Sequence, residues 1–168
     1  MHILVTGGTG YIGSHTCVEL LRAGYGVVIL DNLYNSKASA VEKIASLGGG
    51  EPVFYEGDMR DKALLDKIFA ERDIGAVIHF AGLKCGPESV DIPLEYYNAN
   101  IAGTVTLLEA MRDAGCKTLV FSSSFTDLVS CVTLPCRLFI SLITGGAWPS
   151  SPGGPSGLKP VPSQVVVE

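Results

Sequence analysis

Residues 6–13 read Thr6-Gly7-Gly8-Thr9-Gly10-Tyr11-Ile12-Gly13 and directly follow a short aliphatic run. Gly7 permits a tight turn from a strand into a helix, Gly10 lets a phosphate approach the backbone, and Gly13 lets the helix pack close to the sheet. The start of such a helix offers unpaired N–H groups and the positive end of its dipole to an anion. The pattern predicts a dinucleotide site, with an incidental glycine-rich turn as the alternative.

Five short apolar runs outside this turn predict strands, at residues 3–6, 27–31, 53–56, 76–80 and 118–122. Between them, apolar residues recur at helical spacing in residues 12–23, 38–47, 63–72 and 93–114, so that each segment predicts an amphipathic helix. Because crossovers between parallel strands are right-handed, this alternation predicts an α/β fold with a doubly wound, mostly parallel sheet of the Rossmann type. Its ligand crevice is expected at the carboxyl ends of the strands.

The composition narrows the class of protein. The 168 residues include 17 acidic and 12 basic side chains, for a net charge of −5, and 47% are apolar. This suits one domain with a buried core. The acidic balance, without a lysine or arginine cluster, argues against nucleic acid or a membrane surface as partner. The longest apolar run, residues 128–143, is interrupted by Pro135 and Arg137 and is shorter than the roughly 20 residues of a membrane span.

No basic leader opens the chain, so that a cytoplasmic protein is expected. The five cysteines are an odd number without a C-x-x-C pair, namely Cys17, Cys85, Cys116, Cys131 and Cys136. They are interpreted as buried small side chains and free thiols, with metal ligands or disulfides as the alternative. No metal site can be built from sequence neighbours.

The character of the sequence changes after Ser124. Only four charged residues, but six of the nine prolines, lie in residues 125–168. One strand within residues 128–143 and otherwise irregular chain are expected there. Composition thus divides the chain into the α/β domain with the dinucleotide site, at residues 1–124, and a divergent Pro/Gly/Ser-rich tail at residues 125–168.

Acidic and basic residues follow the predicted strands where the crevice is expected. Asp31 lies 18 residues after Gly13, near the spacing of about 20 for the acid that binds the ribose hydroxyls of NAD, and its charge would repel the 2′-phosphate of NADP. Asp58 is a candidate for the adenine amino group, with Met59 beside it, or is a turn or cap residue. Lys84 either reaches the nicotinamide ribose or is a solvated loop lysine.

Further motifs accompany the glycine-rich turn: L-D-N-L-Y-N-S at 30–36, I-H-F-A-G-L-K at 78–84, E-S-V at 88–90, P-L-E-Y-Y at 93–97 and F-S-S-S at 121–124. Over residues 1–124 the chain resembles the UDP-glucose 4-epimerase family of extended short-chain dehydrogenases/reductases. The resemblance implies an isomerase of galactose metabolism that interconverts UDP-glucose and UDP-galactose, using NAD to take a hydride from C4 of the UDP-sugar and to return it. It also allows a homodimer packed through helices that include residues 93–114.

The resemblance assigns roles to individual residues. Ser124 carries over as the catalytic serine that hydrogen-bonds the reacting sugar hydroxyl, although serines at 122–124 also simply end a strand. Together with the glycine pattern, the resemblance gives as cofactor-binding candidates Gly7, Gly10, Tyr11, Ile12, Gly13, Asp31, Asn32, Leu33, Tyr34, Asn35, Ser36, Asp58, Met59, Phe80, Ala81, Gly82, Leu83 and Lys84.

Several departures from the family pattern bear on mechanism. Ala99 precedes Asn100 where the family often has an asparagine pair, and the loop at residues 84–88 contains Cys-Gly-Pro instead of A-V-G. The family also needs Y-x-x-x-K, because a phenol of pKa about 10 requires a neighbouring cation to act as a base at neutral pH. This chain has no tyrosine after Tyr97, and residues 125–128 replace the expected A-T-V-Y-G continuation. The resemblance thus implies that the NAD-binding domain at residues 1–124 is partial, truncated after residue 124, and that a C-terminal substrate domain is absent.

Three functions therefore stay open: an epimerase chain that is inactive by itself, a non-catalytic NAD-binding module, and a nucleotide-sugar dehydratase or decarboxylase of the same fold. The combination of H-F-A-G-L-K with P-L-E-Y-Y favours the epimerase over the third. The tail is interpreted as an out-of-frame translation or an alternative end, because the motifs stop and the composition shifts at the same residue.

Overall fold

The computed structural model describes residues 1–122 and the strand at 138–139. The strands are β1 His2–Thr6, β2 Gly26–Asp31, β3 Val53–Glu56, β4 Ile74–His79, β5 Leu119–Phe121 and β6 Leu138–Phe139. The helices are α1 Tyr11–Arg22, α2 Ser39–Gly48, α3 Lys62–Glu71, α4 Gly86–Asp91, α5 Pro93–Tyr97 and α6 Gly103–Asp113, with a π-helical segment, Asn98–Ala102, between α5 and α6.

The six strands form one parallel sheet in the order β3-β2-β1-β4-β5-β6. The chain first builds outward from β1 to β3 and then returns to add β4 on the other side of β1. This confirms the doubly wound, Rossmann-type α/β fold. The reversal of strand order places the carboxyl ends of β1 and β4 around one crevice.

The side chains of β1 and β2 alternate between two buried layers, as the two-residue period of a strand requires. Leu4 and Val28 face one layer, and Val5 and Ile29 face the other; all four are fully buried. The first layer is completed by Leu65 and Ile68 of α3 with Leu107, Ala110 and Met111 of α6. The second is completed by Cys17 and Val18 of α1 with Ile44 of α2. Helices therefore cover both faces of the sheet.

Most predicted boundaries agree closely with the structure. The largest difference is in β4, which begins at Ile74 and ends at His79, so that Phe80 already belongs to the following loop. The strand expected within residues 128–143 is β6, where Leu138 pairs with Leu119 of β5. The rest of that range, and the irregular chain expected in the tail, lie outside the described residues.

One prediction for the segment between β4 and β5 is confirmed with a difference, and one is wrong. The helix predicted at residues 93–114 extends from Pro93 to Asp113 but contains a π-helical turn, in which the N–H of Gly103 donates to the carbonyl of Asn98. The loop predicted at residues 84–88 contains the start of α4, with Pro87 in its first turn. Proline is tolerated there because the first N–H groups of a helix have no partner within it.

Candidate functional site

The glycine-rich turn is held between α1 and the loop that follows β4. Gly7 has a φ of +71°, and a Cβ atom added to it would lie 2.6 Å from the backbone nitrogen of Ala81. A Cβ atom added to Gly13 would collide with the carbonyl oxygen of Gly7. A side chain at either position would therefore push the turn away from its neighbours.

The amino end of α1 opens onto a cavity. No side chain caps this end of the helix at Gly10, and Gly7 and Gly10 both line a cavity of about 150 Å³. The first turn carries two exposed side chains, Tyr11 and Ile12. Because the first N–H groups of a helix have no partner within it and carry the positive end of the dipole, this end is suited to an anion such as a phosphate.

The Asp31 carboxylate, at the end of β2, organises the next wall of the cavity. It accepts hydrogen bonds from the backbone N–H of Thr9 at 3.1 Å, the N–H of Leu33 at 2.9 Å and the hydroxyl of Ser36 at 3.0 Å. Leu33 has a φ of +58°, a conformation that L residues rarely adopt,. The buried carboxylate therefore fixes the shape of the loop at residues 32–36.

Asp31 keeps room for a further donor. A carboxylate offers about four acceptor positions, and three are used. The Ser36 hydroxyl also lies 2.7 Å from the Thr9 hydroxyl, and either can be the donor. A small rotation of Ser36 would direct its proton to Thr9 and release a second position on Asp31, which is what a pair of ribose hydroxyls would require.

Both carboxylate oxygens of Asp58, which follows β3, accept two hydrogen bonds each. Oδ1 accepts from Arg60 N at 2.9 Å and Arg60 Nε at 2.8 Å, and Oδ2 accepts from Arg60 Nη2 at 2.6 Å and Asn32 Nδ2 at 3.2 Å. The hydrogen bonds from the Arg60 side chain are the main reason that the pKa of Asp58 is lowered to about 2. Asp58 is thus a turn residue, and it also lines the cavity.

The loop after β4 forms the floor of the site. The amides of Phe80 and Ala81 both donate to the carbonyl of Thr6, at 3.0 and 3.1 Å. The Asn100 carboxamide accepts from Leu83 N at 2.8 Å and donates to Leu83 O at 2.9 Å. Partial burial of the Lys84 ammonium lowers its pKa. The loop is thereby tied both to β1 and to the π-helical segment.

Most of the predicted site residues come together in this cavity. Those lining it are Gly7, Gly10, Asp31, Asn32, Tyr34, Asn35, Ser36, Asp58, Met59, Phe80, Ala81, Gly82 and Leu83, and Ala99 joins them. Lys84 lines a second cavity of about 310 Å³, which also contacts Ala81, Gly82 and Leu83. The two cavities are therefore adjacent parts of one groove along the carboxyl ends of the strands.

Four predicted residues do not line either cavity. Tyr11, Ile12 and Gly13 lie in the first turn of α1, and Leu33 contributes its amide to Asp31. Their proximity to a ligand stays a prediction. The catalytic candidate Ser124 lies outside the described residues.

The sequence analysis assigns no role to several polar residues that line the second cavity, among them His79, Tyr96 and Thr104. His79 is the clearest case, because it is only 1% exposed. Its ring nitrogens lie 2.6 Å from the Thr6 hydroxyl and 3.0 Å from the Thr104 hydroxyl. A polar residue inside an otherwise apolar strand was the available signal, since buried polar groups need partners.

Two absences hold for the described part of the chain. None of its helices has the length and apolar character needed to cross a membrane. No group of three or more His, Cys, Asp or Glu side chains within it is arranged to hold a metal ion.

Comparison with known proteins agrees with this geometry. The model of the NAD dependent epimerase/dehydratase family matches residues 3–130. The chain belongs to this family. It is 57% identical over 158 residues to UDP-glucose 4-epimerase of Yersinia pestis, covering 94% of this chain and 46% of that protein. It is 58% identical over 126 residues to UDP-glucose 4-epimerase of Bacillus subtilis strain 168, covering 75% and 37%.

The chain thus spans less than half the length of these relatives. The match with the Yersinia protein continues beyond residue 124, where the sequence motifs end. Among solved structures, UDP-glucose 4-epimerase from Stenotrophomonas maltophila, with bound NAD and formylated UDP-arabinopyranose, has a TM-score of 0.73 and 55% identity, covering 75% of this chain and 38% of that one. The enzyme from Bifidobacterium longum, in complex with NAD+ and UDP, has a TM-score of 0.72 and 47% identity, covering 74% and 37%.

We expect the free energy of unfolding to fall as the pH drops from about 6.5 to about 4. Burial, and secondarily the charge of Lys84, lowers the pKa of His79 to about 4. In this range the unfolded chain binds a proton at His79 that the native chain does not bind, which costs about 3 kcal/mol by pH 4. Urea unfolding near pH 7, 5.5 and 4.5 measures the slope.

His79→Gln should flatten this slope, whereas His15→Gln, on the exposed side of α1, should retain it. An unchanged slope in His79→Gln would show that other groups cause the acid sensitivity.

Proposed function

We propose that this chain binds NAD and forms the cofactor-binding part of a UDP-glucose 4-epimerase. One observation carries the proposal: the amino end of α1, the Asp31 carboxylate and the loop at residues 80–84 meet at a single groove at the switch point of the sheet. When bound, NAD supplies hydride transfer at C4 of a UDP-hexose. Relatives with NAD and UDP ligands support the assignment of both the cofactor and the UDP-sugar.

The parts of the groove fit the parts of the cofactor. The amino end of α1, with Gly7, Gly10 and the amides of residues 11–13, suits the pyrophosphate, and Asp31 suits the adenosine ribose. The loop at residues 32–36 borders that ribose, and Asp58 and Met59 border the adenine. The second cavity, which contains Lys84, takes the nicotinamide end. Each of these roles is part of the proposal.

The division of the chain into an NAD-binding domain at residues 1–124 and a distinct tail is also a proposal. It is supported by the change of composition after Ser124, since only four charged residues but six of the nine prolines lie in residues 125–168.

A cytoplasmic location is proposed from the cysteines. Cys17, Cys85 and Cys116 are free thiols in the described residues, as expected in a reducing compartment. The expectation that the cysteines are buried is wrong for Cys85, which is exposed. Burial raises the pKa of Cys17 to about 12, so that this thiol is unreactive.

The absence of Y-x-x-x-K from the sequence supports a second proposal, that the 168 residues bind NAD without catalysing epimerisation by themselves. Proton transfer from the sugar hydroxyl needs a positioned base, and such catalysis typically contributes about 10²- to 10⁴-fold. The last tyrosine is Tyr97, in α5. Its side chain is 63% exposed, and the wall of the second cavity is built without it.

NAD should bind the chain at least tenfold more tightly than NADP, because the Asp31 charge repels a 2′-phosphate. Asp31→Asn removes the charge while keeping a similar shape. It should weaken NAD binding by about tenfold, since hydrogen bonds to charged groups contribute about 1.5–3 kcal/mol, and it should narrow the preference over NADP. Isothermal titration with both nucleotides provides the measurement.

Asp61→Asn is the matched control. Asp61 caps α3 by accepting from Leu64 N at 3.1 Å, and asparagine is an equally good cap, so that nucleotide binding should be unchanged. Equal affinity of the wild-type chain for NAD and NADP would contradict the assignment of Asp31.

Incubated with NAD and UDP-galactose, the chain should form no UDP-glucose above the protein-free background. A coupled assay measures this, with a full-length UDP-glucose 4-epimerase as positive control and a parallel titration showing that NAD binds. Turnover of UDP-galactose would refute the non-catalytic proposal. Turnover of dTDP-glucose instead would favour a dehydratase.

A homodimer is proposed from the surface formed by α4, α5, the π-helical segment and α6. Its exposed side chains at helical spacing are Val90, Leu94, Tyr97, Ile101 and Val105, which are 49–78% exposed. Contiguous exposed apolar side chains of this size are typical of protein interfaces. A second copy of the chain is the partner that the family resemblance implies.

Leu94→Glu should convert a dimer into a monomer, because burying an unpaired carboxylate in an apolar interface is costly. Leu47→Glu, at a 60% exposed position on α2, is the matched control and should leave the dimer intact. Sedimentation equilibrium provides the mass. A wild-type monomer at high protein concentration would reject the interface.

A further inference from the structure

A chain of hydrogen bonds crosses the interior from β1 to the π-helical segment. The Thr6 hydroxyl lies 2.6 Å from His79 Nδ1, His79 Nε2 lies 3.0 Å from the Thr104 hydroxyl, and that hydroxyl donates to the carbonyl of Asn100 at 2.6 Å. Thr6 and His79 are fully buried, and Thr104 is half-buried. This series of hydrogen bonds uses both ring nitrogens of His79. It shares no residue with the Asp31 contacts on the far side of β1.

The direction of every bond in the chain follows from its last member. A carbonyl only accepts, so the single hydroxyl proton of Thr104 points to Asn100 O. The Thr104 oxygen must therefore accept from His79 Nε2–H. Because burial lowers the pKa of His79 to about 4, the ring is neutral near pH 7, so that Nδ1 carries no proton and accepts from the Thr6 hydroxyl. The network thus selects the Nε2–H tautomer, and the ring cannot turn without breaking two hydrogen bonds.

Asn100 connects this hydrogen-bond network to the loop at residues 80–84. Its carboxamide binds both the N–H and the carbonyl of Leu83, at 2.8 and 2.9 Å. Leu83 lines both cavities, and the preceding Gly82 has a φ of +151°, with its Cβ direction facing Asn100 Oδ1. Among the described residues no strand pairs with the loop at this point, and the two hydrogen bonds from Asn100 set the position of the peptide between the two cavities.

The hydrogen-bond network ends in the π-helical segment. The N–H of Gly103 bonds to Asn98 across the wide turn, and Thr104 supports the Asn100 carbonyl within it. Single π-helical turns are rare and frequently lie at functional sites. Here the turn carries Ala99 at the first cavity and Asn100 at the second.

We propose that His79, Thr104 and Asn100 are positioning residues that fix the Leu83 peptide and thereby set how tightly the nicotinamide end of NAD is held. The inference rests on the proposed function and deepens it. All three residues also line the second cavity, but the role proposed for them is exerted through the Leu83 peptide. Their effect is to keep the loop at residues 80–84 in one conformation before the cofactor arrives, which lowers the ordering cost of binding.

Thr104→Val tests the proposal because valine has the shape of threonine without the hydroxyl. NAD affinity should fall by about three- to tenfold, whereas affinity for ADP, which reaches only the adenosine side, should stay within about twofold. In the cofactor-free chain, hydrogen exchange at the Leu83 amide should accelerate. Thr104→Ser keeps the hydroxyl and should restore all three values.

Thr106→Val is the matched control. The Thr106 hydroxyl donates to the Ala102 carbonyl at 2.9 Å, the same type of bond on the same helix, but it has no contact with His79 or Leu83. NAD binding and Leu83 exchange should both be unchanged. Asn100→Asp is a second test, at a residue outside α6. A carboxylate still accepts from Leu83 N–H but repels Leu83 O. This variant should therefore lower the affinity for NAD and leave that for ADP unchanged, as Thr104→Val does.

The outcomes separate the two proposals. Suppose that the wild-type chain binds NAD, but that Thr104→Val lowers the affinities for NAD and ADP equally, or lowers the NAD affinity no more than Thr106→Val does. The positioning role is then wrong, and the proposed function stands. If the wild-type chain binds neither nucleotide, the proposed function is wrong, and the Leu83 exchange rate alone then decides whether these residues position the loop. An imidazole ¹⁵N spectrum showing the Nδ1–H tautomer of His79 would also overturn the inference.

Discussion

The carbonyl of Thr6 accepts two hydrogen bonds, from the amides of Phe80 and Ala81, at the point where β1 and β4 leave the sheet. The next residue, Gly7, donates its N–H to Leu30 of β2 at 2.8 Å, so that three strand ends are joined within two residues. Only a residue without Cβ can occupy position 7, because the backbone of Ala81 lies against it. The amino end of α1, the Asp31 loop and the loop at residues 80–84 all take their positions from this junction.

The same residue also links the crevice to the interior. Thr6 binds β4 twice, through its backbone to the loop and through its hydroxyl to His79. A substitution at His79 would therefore also affect the loop at residues 80–84, because Thr6 contacts both. On its other side this loop lies against Gly7 of the glycine-rich turn. The loop has a positive φ at Gly82 and pairs with no strand among the described residues. Its conformation is fixed instead by residues from β1, α6 and the π-helical segment.

How much could be predicted depended on whether a feature was local. The strands follow from aliphatic runs such as residues 27–30, which are buried on both faces, and the glycine turn with Asp31 follows from spacing. The π-helical turn at residues 98–102 could not be predicted, because the apolar spacing of residues 93–114 is typical of an ordinary α-helix,. α4 was missed because glycine and proline at residues 86–87 favour a loop locally. Its stability comes from contacts such as the Tyr96 hydroxyl, which bonds to Glu88 at 2.7 Å. Tertiary hydrogen bonds of this kind leave no periodic signal.

The filled carboxylate of Asp58 adds a condition on cofactor binding that the sequence does not contain. Its four acceptor positions are occupied, three of them by Arg60. An adenine amino group can reach Asp58 only by replacing one donor. The Asn32 amide, at 3.2 Å, makes the longest of the four bonds and is neutral, so that it is the cheapest to displace. Since Asn32 Oδ1 also accepts from the Tyr34 amide at 3.1 Å, its displacement would release part of the loop at residues 32–36 as the adenine enters. In the proposed binding mode, adenine recognition and loop order would therefore be opposed at Asn32, whereas at Asp31 the ribose would bind the same carboxylate as the loop does.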